Sequence, residues 1–140
     1  MAALKSGAVV YLDANILIYL TEGETVQKAA LRPLMAGFEA AAARIVTSDL
    51  SFTEVLVQPI RQRDQTLIEA YERLLTVLVE ALPVSRQVLW LAAQLRAASP
   101  AQRTPDAIHV ATATLAGADV FVTGDRGIKN LPSGMTLQSI

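Results

Sequence analysis

The chain has 140 residues, enough for one domain with a buried core, and its 52% hydrophobic and 18% charged residues exclude a disordered chain. It has no cysteine, which removes disulfide frameworks, thiolate zinc sites and cysteine nucleophiles together. A net charge of −1 argues against a broad polyanion-binding surface, yet with four acids set aside for a site the 12 basic residues outnumber the acids that remain.

The apolar stretch from Gly7 to Leu20 follows Lys5 but is interrupted by Asp13 and Asn15. A signal peptide or membrane span needs an unbroken apolar run, so the segment reads as mature protein. A cytoplasmic location without membrane association is the expectation. There is no internal repeat, low-complexity tract or linker, and residues 1–140 read as a single domain.

Ala8 to Leu12 is a β-rich apolar run ending at Asp13, a buried strand followed by a helix over Ala14 to Leu20. Thr25 to Ala43 is helical in pattern, with Pro33 expected to break it or start a second segment. Arg44 to Thr47 reads as a second strand, after which Ser51 opens a helix towards Gln62, with Asp49 as its cap. From Gln65 to Leu82, Leu67, Tyr71, Leu74, Leu75, Leu78 and Leu82 recur at helical spacing. Leu82 to Val84 is a candidate third strand, and Ser85 to Ala98 a further helix. Thr104 to Ala116 forms a helix with Thr104 as cap and Pro105 at its first position. Asp119 to Val122 and Met135 to Gln138 complete the strands. Trp90 and Tyr71 are expected in the core or at a subunit interface.

Strands alternating with helices, and hydrophobic throughout, predict an α/β fold: a three-layer α/β/α sandwich around a central parallel sheet. Sites in such sheets form outside the carboxyl ends of the strands. Asp13 lies directly after the first strand, Glu54 in the first turn beyond the second, and Asp125 just after the fourth, in Thr123-Gly-Asp-Arg-Gly127. Asp106 lies in the first turn of the helix opened by Thr104-Pro105. All four are expected at one edge of the sheet.

Each acid has a structural explanation of its own. Asp106 favourably meets a helix dipole, Ser51-Phe-Thr-Glu54 fits a capping box, and Asp125 sits among turn-forming glycines. Asp13 is harder to explain away, because an acid within an apolar run is costly unless paired, solvated or metal-bound. Convergence changes the balance. Two carboxylates about 4 Å apart repel by roughly 4 kcal/mol at an effective dielectric near 20, so a cluster of four must protonate in part or hold a cation. An all-oxygen donor set selects Mg²⁺ or Mn²⁺ over zinc, and metal-assisted phosphodiester hydrolysis is the chemistry that suits it. Whether one ion or two is held stays open.

Four stretches carry a resemblance: Val10-Tyr-Leu-Asp-Ala-Asn-Ile-Leu-Ile18, Thr47-Ser-Asp-Leu-Ser-Phe-Thr-Glu-Val55, Arg103-Thr-Pro-Asp-Ala-Ile-His-Val-Ala-Thr112 and Val122-Thr-Gly-Asp-Arg126. In this order and spacing the chain resembles the PIN-domain ribonucleases, most closely the VapC-type toxins of bacterial toxin–antitoxin pairs. The resemblance implies Mg²⁺- or Mn²⁺-dependent cleavage of RNA that leaves a 5′-phosphate and a 3′-hydroxyl. The family's acidic quartet falls on Asp13, Glu54, Asp106 and Asp125, which by analogy bind the metal directly or through water, one of them helping to deprotonate the attacking water. Asn15 and Thr123 match positions that support the site. A cognate antitoxin and a homodimer are likewise implied. One departure is Gly127, where many relatives carry an acidic or amide residue; it bears on a second metal more than on activity.

His109, the sole histidine, lies one helical turn from Asp106 and is read as a packed or supporting residue rather than a catalytic base. Arg103 stands next to the same helix, able to contact phosphate or to anchor a loop. Arg61, Arg63, Arg126 and Lys129 are RNA-contact candidates for which a solvated surface role is the simpler reading. No phosphate-binding glycine motif is present, so a nucleotide cofactor has no support. Two alternatives remain. An aspartate-based phosphatase of the haloacid dehalogenase type also places Asp after its first strand, but wants a second Asp where Asn15 stands. A non-catalytic PIN-fold binding module would keep the fold without the chemistry.

Overall fold

A computed structural model describes residues 4–128, 130–132 and 134–140. Five strands form one parallel sheet in the order β3-β2-β1-β4-β5, where β1 is Val9–Leu12, β2 Arg44–Ser48, β3 Glu80–Leu82, β4 Val120–Thr123 and β5 Thr136–Ser139. The helices are α1 (Ala14–Thr21), α2 (Val26–Ala40), α3 (Leu50–Arg61), α4 (Gln65–Arg73), α5 (Arg86–Ala98) and α6 (Thr104–Leu115). With both faces covered, the α/β/α sandwich expected from the alternation of strands and helices is present. None of the described helices is long and apolar enough to cross a membrane.

Side-chain alternation on the central strands divides the core in two. Val10, Leu12, Val120 and Val122 point to the side of Ile16, Leu17, Leu31, Phe38, Val55 and Tyr71 on α1 to α4. Tyr11, Val46 and Phe121 point the other way, to Val110 and Ala113 on α6, with α5 packed along α6 through Val88, Ala92, Ala107 and Ala111. The register pairs Tyr11 with Val46 on one side and Phe121 on the other, so the Tyr11 and Phe121 rings stack with centroids 4.9 Å apart.

Several elements depart from the sequence pattern for identifiable reasons. Pro33 lies inside a continuous α2 rather than breaking it. Both Pro33 and Ala29, whose carbonyl loses its helical partner, are exposed, so water can satisfy that carbonyl. The apolar repeat beginning at Gln65 stops being α-helical at Arg73 and widens into a π turn over Leu74–Leu78. There the Val79 amide reaches back to the Leu74 carbonyl at 2.9 Å, while the Thr76 hydroxyl takes the Glu72 carbonyl at 2.7 Å. The third strand lies two residues earlier than expected because Pro83 has no N–H to extend the ladder. Asp49 makes no capping bond; the Ser48 hydroxyl instead accepts from the Leu50 amide. Thr104 does not cap α6 either, since Arg103 holds that position and the Thr104 hydroxyl accepts from Arg96. Tyr71 is fully buried, whereas Trp90 is 69% exposed on α5 and takes no part in the core.

Replacing Pro33 with alanine restores an N–H for the Ala29 carbonyl. Pro33→Ala is expected to raise the urea unfolding midpoint, with a gain of up to ~3 kcal/mol, the helix-interior difference between the two residues. An unchanged or lowered midpoint would show that the proline ring itself is needed in α2.

Candidate functional site

Asp13 ends β1 and caps α1. Its Oδ1 accepts from the Ile16 amide at 3.2 Å and its Oδ2 accepts from the Thr123 hydroxyl at the end of β4. Burial pushes the Asp13 carboxyl above the usual carboxylate range, and the charge of Asp125 adds to this, while the bonds from Thr123 and Ile16 pull the other way. Thr123 serves twice, because its Oγ1 also accepts from the Asp125 amide at 2.9 Å. One buried hydroxyl thus ties Asp13 to the loop that carries Asp125. Gly124 between them gives room to Tyr19: a Cβ there would lie 2.8 Å from Cε2 of that ring, which would have to shift.

Asp125 fulfils its turn role with one oxygen only. Oδ1 accepts from the Gly127 amide at 2.7 Å, leaving Oδ2 to accept from Nη2 of Arg103 at 3.2 Å. Nε of the same guanidinium donates to Asp106 Oδ2 at 3.3 Å. Arg103, with its side chain 72% exposed, therefore stands as a cation between two carboxylates. Burial raises the Asp106 carboxyl above its ordinary value, the charge of Asp125 raises it further, and Arg103 offsets part of this.

Glu54 forms no capping box. Ser51 lies within α3, buried, with its hydroxyl on Thr47 at 2.8 Å, and Glu54 turns to α6, where its Oε1 meets Nε2 of His109 at 2.5 Å. The other imidazole nitrogen, Nδ1, lies 2.5 Å from the Tyr11 hydroxyl. Burial pushes the Tyr11 phenol well above its normal range, so it keeps its proton. Tyr11 was not singled out by the sequence reading. The available signal was its place two residues before Asp13, on the strand face opposite Val10 and Leu12.

The structure thus links Asp13, Asp106 and Asp125 through Thr123 and Arg103, and joins Glu54 to Asp106's helix through His109. Among the described residues no three acidic or histidine side chains approach closely enough to form a ready-made metal cage. Asn15 is exposed on α1 with no side-chain bond to the acids among those described. Arg61, Arg63 and Arg126 are exposed, and Lys129 lies outside the described residues.

These environments fix a sign. A carboxyl whose folded-state pKa is raised contributes its stability at low pH, below the unfolded value, and loses it as pH rises through the folded value. Charged Asp106 therefore costs the fold stability at neutral pH. Asp106→Asn is expected to stabilise the protein at neutral pH by ~1 kcal/mol, the size of a common stabilising substitution, and to lose that advantage in mild acid. Urea unfolding of both proteins across that range measures it; a destabilised variant at neutral pH would show that the Arg103 pair outweighs burial and repulsion.

The PIN domain profile matches residues 10–133. Against curated protein sequences the chain finds no match. Among solved structures, VapBC2 from Rickettsia felis bound to a DNA fragment from its promoter matches with a TM-score of 0.71 at 16% identity, over 94% of this chain and 98% of that one. VapBC-1 from nontypeable Haemophilus influenzae gives 0.66 at 21% identity, over 94% and 97%. A toxin–antitoxin complex from Klebsiella pneumoniae gives 0.59 at 24% identity, over 91% and 95%. At these identities the structures establish the shared fold, while the profile, spanning most of the chain and all four acids, establishes that this chain belongs to the PIN domain family.

Proposed function

We propose that this protein is a metal-dependent endoribonuclease, the toxin of a VapBC-type toxin–antitoxin pair, with Asp13, Glu54, Asp106 and Asp125 as its active site. The observation that carries the reading is the Arg103 guanidinium held between Asp106 and Asp125 beside the buried Asp13. A rim of acids that recruits a positive group from its own chain is a rim with affinity for cations. The donor set is all carboxylate oxygen, which fits Mg²⁺ or Mn²⁺. Arg103 is exposed and long, so it can leave the two acids at little desolvation cost.

In this reading Asp13, Glu54, Asp106 and Asp125 would hold a divalent ion directly or through water, and the ion would supply Lewis acidity and offset charge on the scissile phosphodiester. Thr123 and the α1 amide fix the direction of Asp13, and the Gly127 amide fixes that of Asp125. A water oxygen attacks phosphorus while its proton passes to one of the acids, and the bond to the 3′ oxygen breaks, that oxygen taking up a proton from solvent. The products are a 5′-phosphate and a 3′-hydroxyl. Arg103, once displaced from the acids, is placed to pair with a backbone phosphate. The haloacid dehalogenase alternative loses its footing with PIN membership, and Asn15 stands where its second Asp would be needed.

The Klebsiella pneumoniae neighbour, a toxin–antitoxin complex, together with the VapBC neighbours, supports an antitoxin partner for this chain; a cytoplasmic homodimer belongs to the same reading through the sequence resemblance alone. Incubation with structured RNAs is expected to give cuts with Mg²⁺ or Mn²⁺ and none with EDTA. Asp13→Asn is expected to lower cleavage by more than about 100-fold, beyond the loss usual for groups that only orient a ligand, while circular dichroism shows a retained fold. Cutting that persists in Asp13→Asn and in EDTA would reject the site; a folded protein that binds RNA without cutting it would identify a binding module.

A further inference from the structure

Beyond the four acids lies a buried pair with no role in the reading above. Tyr11 on β1 and His109 on α6 form a continuous chain to Glu54 on α3, with the imidazole 2.5 Å from each neighbour. His109 and Tyr11 are almost entirely removed from solvent, whereas the Glu54 side chain is 32% exposed. The chain runs from the core outward and ends on a part-exposed carboxylate.

The donor and acceptor roles follow from the groups themselves. An ionised carboxylate only accepts, so the proton between His109 and Glu54 sits on Nε2. That leaves Nδ1 as the partner of the Tyr11 hydroxyl. The imidazole is held edge-on to the tyrosine ring, centroids 5.9 Å apart, and that ring is itself stacked on Phe121. The imidazole cannot rotate without leaving a buried polar atom unpaired, and among the described residues every such atom is paired. Glu54 has no comparable constraint from α3, whose capping box does not form. Among the described residues only Oε1 is engaged, which leaves Oε2 open.

We propose that Tyr11 and His109 are positioning residues that fix the rotamer of Glu54, holding Oε1 so that Oε2 faces the acidic rim as a ligand for a divalent cation. This rests on the reading of Glu54 as part of a metal site. Outer partners of this kind typically change metal affinity by 10–100-fold.

Because His109 is the only histidine, its ring nitrogens give a single, assignable pair of signals in a ¹⁵N–¹H spectrum. The wild type is expected to show a proton on Nε2. Tyr11→Phe removes one hydroxyl and keeps the ring; it is expected to shift the imidazole signals and to weaken Mn²⁺ binding, titrated by electron paramagnetic resonance, by about tenfold. His109→Gln, whose amide can still donate to Glu54, is expected to bind Mn²⁺ more tightly than His109→Ala. Tyr71→Phe is the control for a merely structural effect, because it deletes a hydroxyl, bonded to Glu22, from another fully buried tyrosine ring, and is expected to leave Mn²⁺ affinity unchanged. An Nε2 without a proton, or equal Mn²⁺ affinities in wild type and Tyr11→Phe, overturns the positioning role alone. A wild type that binds no Mn²⁺ overturns the metal-site reading together with it.

Discussion

A carboxylate buried at the end of a central strand has to be answered by its surroundings, and the answer given to Asp13 organises much of this molecule. Asp13 cannot be solvated where it stands, so it draws on the α1 amide and on a hydroxyl from the neighbouring strand. That hydroxyl belongs to Thr123, which at the same time fixes the amide of Asp125. Parallel pairing of β1 with β4 puts the two strand ends side by side, so the contact is a consequence of register. The acid that is most expensive to bury is thereby the one that aligns its neighbour.

The parallel sheet supplies the rest of the geometry. β1, β2 and β4 run in one direction, and whatever follows each of them emerges at the same edge. This is why strand-end acids could be placed together from sequence: apolar runs stopping at Asp13 and just short of Asp125 carry both the strand and its direction. The positions of α3 and α6 were readable in the same way, though not the groups at their starts. What could not be read was local competition. Ser51 and Glu54 have the spacing of a capping box, yet tertiary partners, Thr47 and His109, take both side chains. Pro33 has the signature of a break, and solvent exposure cancels it. The leucine repeat after Gln65 is truly amphipathic, and a threonine hydroxyl together with an i to i−5 bond nevertheless ends the α-helix at Arg73. In each case a polar group with two possible hydrogen-bond partners was settled by a competitor that the sequence pattern does not rank, whether a neighbour one turn away, a side chain on another element or water.

Tyr11 illustrates the same limit from the functional side. Strand alternation places it opposite Val10 and Leu12, but periodicity says nothing of what its hydroxyl meets. A buried tyrosine and a buried histidine, 98 positions apart, become a pair only once α6 is laid across β1. Read singly, His109 is a packed residue, and that description is accurate for its ring. Its two nitrogens carry the remaining information.

The partners of the four acids also differ in permanence, and this difference follows from burial. The donor to Glu54 is a buried imidazole wedged between elements, and the donors to Asp13 are a backbone amide and a buried hydroxyl; none can leave without opening the core. The partner shared by Asp106 and Asp125 is an exposed arginine, which solvent can take over at little cost. Fixed donors set the directions of Asp13 and Glu54, while the charge on Asp106 and Asp125 is balanced by a group that can be exchanged. A rim built in this way keeps its shape when its counter-charge changes. Such constancy is what a site needs if it is to take up a cation or a phosphate without refolding around it.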